Sequence, residues 1–133
     1  MGVMGAGLAR QIRTVYPSVY ERYREFSLSR SPKELMGFSL WTSLDKGGQL
    51  PFIVNCFAQE GFYKEGPQTD YDALMKCFVD ISNICHESYG DCTIAIPDHI
   101  GCGLAGGDWN IVYQMIKDAF ADYPGDVQIW KLP

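Results

Sequence analysis

The chain is short of positive charge and of long apolar runs, and each shortage removes a class of function. It holds 11 Lys and Arg against 16 Asp and Glu, a net charge of −5. A surface that coats nucleic acid is expected to be basic, so no such surface is expected here. Backbone amides can hold a diphosphate without lysines, so a nucleotide-sized ligand stays open. No stretch approaches the roughly 20 apolar residues that a membrane helix needs, and no signal peptide is evident. A soluble protein with no membrane partner is the expectation. The five cysteines, Cys56, Cys77, Cys85, Cys92 and Cys102, are odd in number and lack metal-ligand spacing. They read as reduced, buried thiols of a cytoplasmic protein, with no metal and no cofactor implied. Internal repeats and low-complexity segments are missing as well.

What remains is a chain of 133 residues, 47% hydrophobic, read as one domain over residues 1–133 with enough apolar content for a core. Its organising stretch is Cys92–Asp108, CTIAIPDHIGCGLAGGD. Thr93–Ile96 is an apolar, partly β-branched run suited to a buried strand, and Pro97 stops it. Gly101–Gly107 is then a loop almost without side chains. Asp108 is a good N-cap for a helix whose apolar residues fall at Ile111, Val112, Met115, Ile116, Ala119 and Phe120. Strand, glycine loop and capped helix together present N–H donors and a positive helix end to a phosphate.

Read from its start, the chain opens on a second glycine-rich loop, Met1–Leu8, with a helix from Ala9 carrying Leu8, Ile12 and Val15 on one face. Pro17 ends that helix or begins the next, which carries Val19, Tyr23 and Phe26 on one side. Ser27–Lys33 reads as a polar loop. Leu35–Leu44 and Pro51–Ala58 read as an antiparallel hairpin around the turn Asp45–Gln49. Gln59–Thr69 is a loop with aromatic content. Asp70–Cys85 is the strongest helix, with Leu74, Cys77, Phe78, Ile81 and Cys85 on one stripe, closed by Gly90. Val127–Leu132 is a final strand, set parallel to Cys92–Ile96 by the crossover rule. A hairpin followed by alternating strands and helices implies a layered α/β domain with a mixed sheet.

Several residues carry two readings. Asp108 is an N-cap, or an acid or base if it reaches a water beside a ligand. Cys102 is a small packing residue, or a thiol activated near a helix N-terminus. His99 is a surface residue or a base. His86 reads as a partner of a helix C-terminus. Asn55, on a predicted strand, hydrogen-bonds a ligand or satisfies a loop. Trp109 anchors the last helix. The spacing Gly101, Gly103, Gly106 matches G-x-G-x-x-G. A nicotinamide-binding fold also needs an acidic residue closing the next strand, and here that strand ends at Leu132.

GVMGAGLARQIRTVYPSVYERY and AIPDHIGCGLAGGDWNIVYQMI, in this order and separation, resemble the macro domain, in particular its small phage and bacterial ADP-ribose-1″-phosphate phosphatase-like branch. PFIVNCFAQEGF followed by TDYDALMKC is similar to the same branch. The resemblance implies a three-layer α/β/α fold that binds ADP-ribose or a phosphorylated derivative. It sets Gly2, Val3, Met4, Gly5 and Ala6 against the distal ribose, and wraps Ile100, Gly101, Cys102, Gly103, Leu104 and Ala105 around the diphosphate. Phe57, with Phe62 and Tyr63, then reads as an aromatic wall for a ribose or as core. Hydrolysis of ADP-ribose-1″-phosphate, or removal of ADP-ribose from a macromolecule, is the implied chemistry, with Asn55, His99 and Asp108 the groups at hand. A non-catalytic ADP-ribose-binding module or a shortened inactive form is the alternative.

The family pattern also places strands ahead of the first loop, one ending in an acidic residue for adenine and a central one ending in an asparagine. The sequence begins inside that loop, so an N-terminally shortened form is expected. Relatives that release ADP-ribose use a lysine after the second hairpin strand or an aspartate in the second loop. This chain has Cys56-Phe57-Ala58-Gln59 and Ala105 there. A central strand, in that pattern, separates the strands matching Cys92–Ile96 and Pro51–Ala58. Without it, those two either close up or are completed by another chain, with a homodimer favoured.

Overall fold

A computed structural model describes residues 12–59, 69–102 and 106–131. The loop Met1–Gly7, with Gly2, Val3, Met4, Gly5 and Ala6, lies outside them, as do Phe62, Tyr63, Gly103, Leu104 and Ala105.

Residues 12–15 are helical, and Pro17 begins a new helix, α1 (Pro17–Leu28), because proline disfavours a helical conformation in the residue before it. Val19 is fully buried, and Tyr23 and Phe26 pack on a cluster of Leu35, Leu40 and Phe57. Of the expected face, Leu8 lies outside the described residues, Val15 is solvent-exposed and Ile12 lines a cleft between the strands.

The strand expected from Leu35 starts later. Ser31 and Glu34 exchange backbone-to-side-chain hydrogen bonds of 3.4 Å each, a capping box that nucleates α2 (Pro32–Leu35). Gly37, at φ +82°, ends it, and β1 spans Ser39–Ser43. β2 (Phe52–Cys56) returns antiparallel, with Trp41 opposite Val54, around the expected turn, where Gly48 N–H donates to Asp45 O at 3.1 Å. α3 (Tyr71–Ser88) starts at Asp70, whose carboxylate accepts from Ala73 N–H at 3.0 Å. The whole expected stripe, Leu74, Cys77, Phe78, Ile81 and Cys85, is buried. β3 (Ile94–Pro97), α4 (Trp109–Ala119) and β4 (Val127–Trp130) complete the order, and β4 runs parallel to β3 as expected.

Alternation along the strands sorts the core into layers. Trp41, Val54, Cys56, Ile94, Ile96, Val127 and Ile129 face a cluster built on α3 and α4. Leu40 points to the opposite face and meets α1. The result is an α/β/α arrangement.

The sheet itself comes in halves. Among the described residues β1 pairs with β2 and β3 with β4, and no pair joins β2 to β3. The two strands expected to flank a central one have not closed up; a cleft of about 380 Å³ lies between them.

Candidate ligand-binding site

The candidate site is the turn from β3 into α4. Pro97 ends β3, and the chain reverses through Asp98–Cys102, with Ile100 N–H on Pro97 O at 3.2 Å and Cys102 N–H on His99 O at 2.9 Å. His99 adopts φ +60° and Gly101 φ +75°, left-handed values that cost glycine nothing and that histidine tolerates better than branched residues do.

The loop then closes on itself. Gly101 O accepts from Gly107 N–H at 3.0 Å and from Thr69 Oγ1 at 2.6 Å. The two glycines sit so close that a Cβ on Gly107 would stand 2.5 Å from Gly101 O. Asp108 follows as the N-cap, its carboxylate accepting from Asn110 N–H at 2.9 Å. Its own N–H donates to the Tyr71 hydroxyl at 2.9 Å. Thr69 and Tyr71, on either side of the Asp70 cap of α3, thus fix both ends of the closed loop at the N-terminal end of α4. Such an end carries about half a positive charge and free N–H groups, a setting for an anion.

The sequence-derived candidates separate in space. Ile100, Gly101 and Cys102 belong to this loop, and Ile100 also lines the cleft between the half-sheets. Asp108 is the cap. His99 stacks on Trp109, with centroids 4.9 Å apart, and its Nδ1 lies 2.9 Å from Asp98 Oδ2. The imidazole is exposed, and its Nε2 has no partner among the described residues. Trp109 packs against the main core and anchors α4. Asn55 sits on β2, opposite Leu40, with its buried Nδ2 lacking a partner among the described residues.

Phe57 is 2% exposed and stacked on Tyr23 at 5.5 Å, a contact within the core. The Cys102 thiol is pushed up by burial first and then by the Asp108 and Asp98 carboxylates. It is the protonated thiol at neutral pH, as a packing residue and not an activated nucleophile would be. His86 Nδ1 meets Asp91 Oδ1 at 2.7 Å in the last turn of α3. No group of three potential metal ligands occurs among the described residues. No helix among them is long and apolar enough to cross a membrane.

Sequence reasoning missed Thr69, Tyr71 and Asp98. Thr69 lies 32 residues from Gly101 and Tyr71 37 from Asp108, so no local pattern links them. For Asp98 the signal was its adjacency to His99.

No family model matches the chain. It is 25% identical over 109 residues to an uncharacterized 17.5 kDa protein of Enterobacteria phage T4, covering 82% of this chain and 67% of that one. Its fold matches the macrodomain of Mycobacterium tuberculosis DarG with a TM-score of 0.76 at 23% identity, over 99% of this chain and 82% of that chain. It also matches Thermosipho africanus DarTG, solved in complex with ADP-ribose, with a TM-score of 0.77 at 21% identity, over 99% of this chain and 35% of that chain. The fold is that of a macro domain.

Proposed function

We propose that the chain, as one domain over residues 1–133, binds ADP-ribose or a phosphorylated derivative. The diphosphate lies at the N-terminal end of α4, against Ile100, Gly101, Cys102, Gly103, Leu104 and Ala105. Gly2, Val3, Met4, Gly5 and Ala6 lie on the distal ribose. One observation carries the reading: the loop main chain is held closed by Gly107 N–H and Thr69 Oγ1 on Gly101 O. With Gly101 and Gly107 already held together, the two ends of the loop do not have to be brought together when an anion binds, which removes part of the usual cost of binding. The fold shared with a protein solved around ADP-ribose supports the choice of ligand. Five free cysteines fit a reducing compartment, and we place the protein in the cytoplasm.

Any chemistry at this site is hydrolytic, on ADP-ribose-1″-phosphate first and on ADP-ribosylated macromolecules second. A water lies between the two loops, and loop N–H groups stabilise the charge that develops on phosphate. His99, with Nδ1–H held by Asp98, offers Nε2 as the base; Asp108 and Asn55 are the other polar groups available. Ala105 carries no acid, so turnover is slow or absent and the chain acts chiefly as a binding module.

Calorimetry with ADP-ribose tests the binding. The intact chain should bind, and Gly103→Val, chosen because the family resemblance sets that glycine against the diphosphate, should not. Equal affinity in the variant removes the loop from the site. Rapid release of phosphate from ADP-ribose-1″-phosphate would overturn the binding-module reading, and His99→Ala would then show whether the imidazole is the base.

A further inference from the structure

Helices α3 and α4 share one face of the sheet and run in the same direction. α3 ends at the turn into β3, β3 returns the chain to the ligand loop, and α4 starts there. The Tyr71 hydroxyl, accepting from Asp108 N–H at 2.9 Å, sets their first turns side by side. Each helix buries one stripe beneath it, with Leu74, Phe78 and Ile81 on α3 and Val112 and Ile116 on α4. At about 3.6 residues per turn, the flank of α3 that follows Tyr71 carries Met75 and Val79. The facing flank of α4 carries Ile111 and Met115. The far flanks are used elsewhere: Lys76 Nζ and Cys77 Sγ donate to Gly37 O and Phe38 O, and Tyr113 packs on Trp109.

Val79 is 37% exposed and Ile111 45%, and Met75 and Met115 are half-buried. They form a shallow apolar groove on the outer side of the helix layer, as long as the 11 residues of α4, about 16 Å. Its charge is of one sign. Asp72 and Asp118 are exposed on its rims. Each helix has one lysine and no arginine, and both lysines turn away, Lys76 to Asp80 at 3.0 Å and Lys117 to the Tyr113 ring at 5.3 Å. A second copy meeting groove to groove would set acid against acid. The outward face of α1 mixes Glu21 and Glu25 with Arg22 and Arg24, so it does not supply the opposite charge either. What matches is a helix with an apolar stripe flanked by cations, laid in the groove. Methionine suits such a surface, because its unbranched side chain re-packs around a partner.

We propose that the outer groove between α3 and α4 docks a basic amphipathic helix of another polypeptide. Its apolar stripe lies on Met75, Val79, Ile111 and Met115, and its cations lie beside Asp72 and Asp118. The groove faces away from the sheet, is separate from the proposed ligand loop and does not depend on it.

The probe is the capped peptide Lys-Leu-Ala-Lys-Leu-Leu-Lys-Ala-Leu-Lys-Lys-Leu-Ala-Lys, which gathers its leucines on one helical face. One control has the same residues reordered so that the leucines surround the helix; the other has glutamate for every lysine. Binding to the full chain is followed by calorimetry and by the methyl shifts of the methionine-labelled protein. The basic amphipathic peptide should move the Met75 and Met115 methyls saturably and leave that of Met36, beside the hairpin, in place. Both controls should bind at least tenfold more weakly. Val79→Ser with Ile111→Ser, at exposed positions, should weaken binding at least tenfold with the circular dichroism spectrum unchanged. The proposal is overturned by no binding at millimolar peptide, by equal binding of either control, by a folded double variant of unchanged affinity, or by saturation that leaves the Met75 and Met115 methyls unmoved.

Discussion

Gly107→Ala puts the closed loop under direct test. The added Cβ would stand 2.5 Å from Gly101 O, 3.3 Å from Gly101 C and 3.2 Å from Thr69 Oγ1. A carbon and a carbonyl oxygen settle at about 3.3–3.6 Å, so Gly101 O must retreat by roughly 0.8 Å. That oxygen is held from two sides, by Gly107 N–H at 3.0 Å and Thr69 Oγ1 at 2.6 Å, and it cannot retreat without losing at least one bond. A lost hydrogen bond costs about 0.5–1.5 kcal/mol and forced overpacking about 1–3 kcal/mol. Together they remove about 2–4 kcal/mol from a domain stable by roughly 5–15 kcal/mol. Urea unfolding followed by circular dichroism should show the midpoint falling by about 1–2 M at an unchanged slope near 2 kcal/mol/M. ADP-ribose affinity should fall with it, because the loop opens. A midpoint within about 0.2 M of the parent would mean that the glycines are not in contact and that the loop is not closed as described.

Thr69→Val should cost about 1 kcal/mol by removing one donor to Gly101 O, and Thr69→Ser should recover it, both read from urea midpoints. Asp108→Ala should cost about 1 kcal/mol through the lost cap, while Asp108→Asn should keep both stability and ADP-ribose affinity; an Asn variant that is stable but fails to bind would show that the charge is used by the ligand. The Cys85 thiol is pushed up to about 12 from 9.0, by burial and then by its hydrogen bond with Cys92. The folded chain therefore keeps a proton that the unfolded chain loses. This contribution is full below pH 9 and is lost as pH rises toward 12, with a limiting slope of about 1.4 kcal/mol per pH unit. Urea midpoints taken at pH 7 and through this alkaline range should fall, and Cys85→Ala should flatten the decline.

Local chemistry explains what the sequence made legible. The α3 stripe, β3, the capped start of α4 and the turn of the hairpin each follow from hydrophobic period, a cap or a turn, and each stands where those signals place it. The start of β1 was misplaced because the apolar run from Leu35 looked continuous, while the Ser31–Glu34 box gave the start of α2 to a helix. Within the site, residues 99–102 and Asp108 were legible through glycine and the cap. Thr69 and Tyr71 were not, since their bonds to Gly101 and Asp108 cross more than 30 residues. Phe57 was ambiguous because an aromatic ring serves a core and a ligand wall equally well, and its stacking on Tyr23 links two positions 34 residues apart.

The central claim is that ADP-ribose sits on the main chain at the entrance to α4. Amide chemical shifts of the isotopically labelled chain, followed during titration with ADP-ribose, address it directly. The account predicts saturable changes centred on Gly101, Cys102, Gly106 and Gly107, with those of the β1–β2 turn at Gly47 and Gly48 unmoved. Saturation without any change at the four loop amides, or no change at millimolar ADP-ribose, would contradict it.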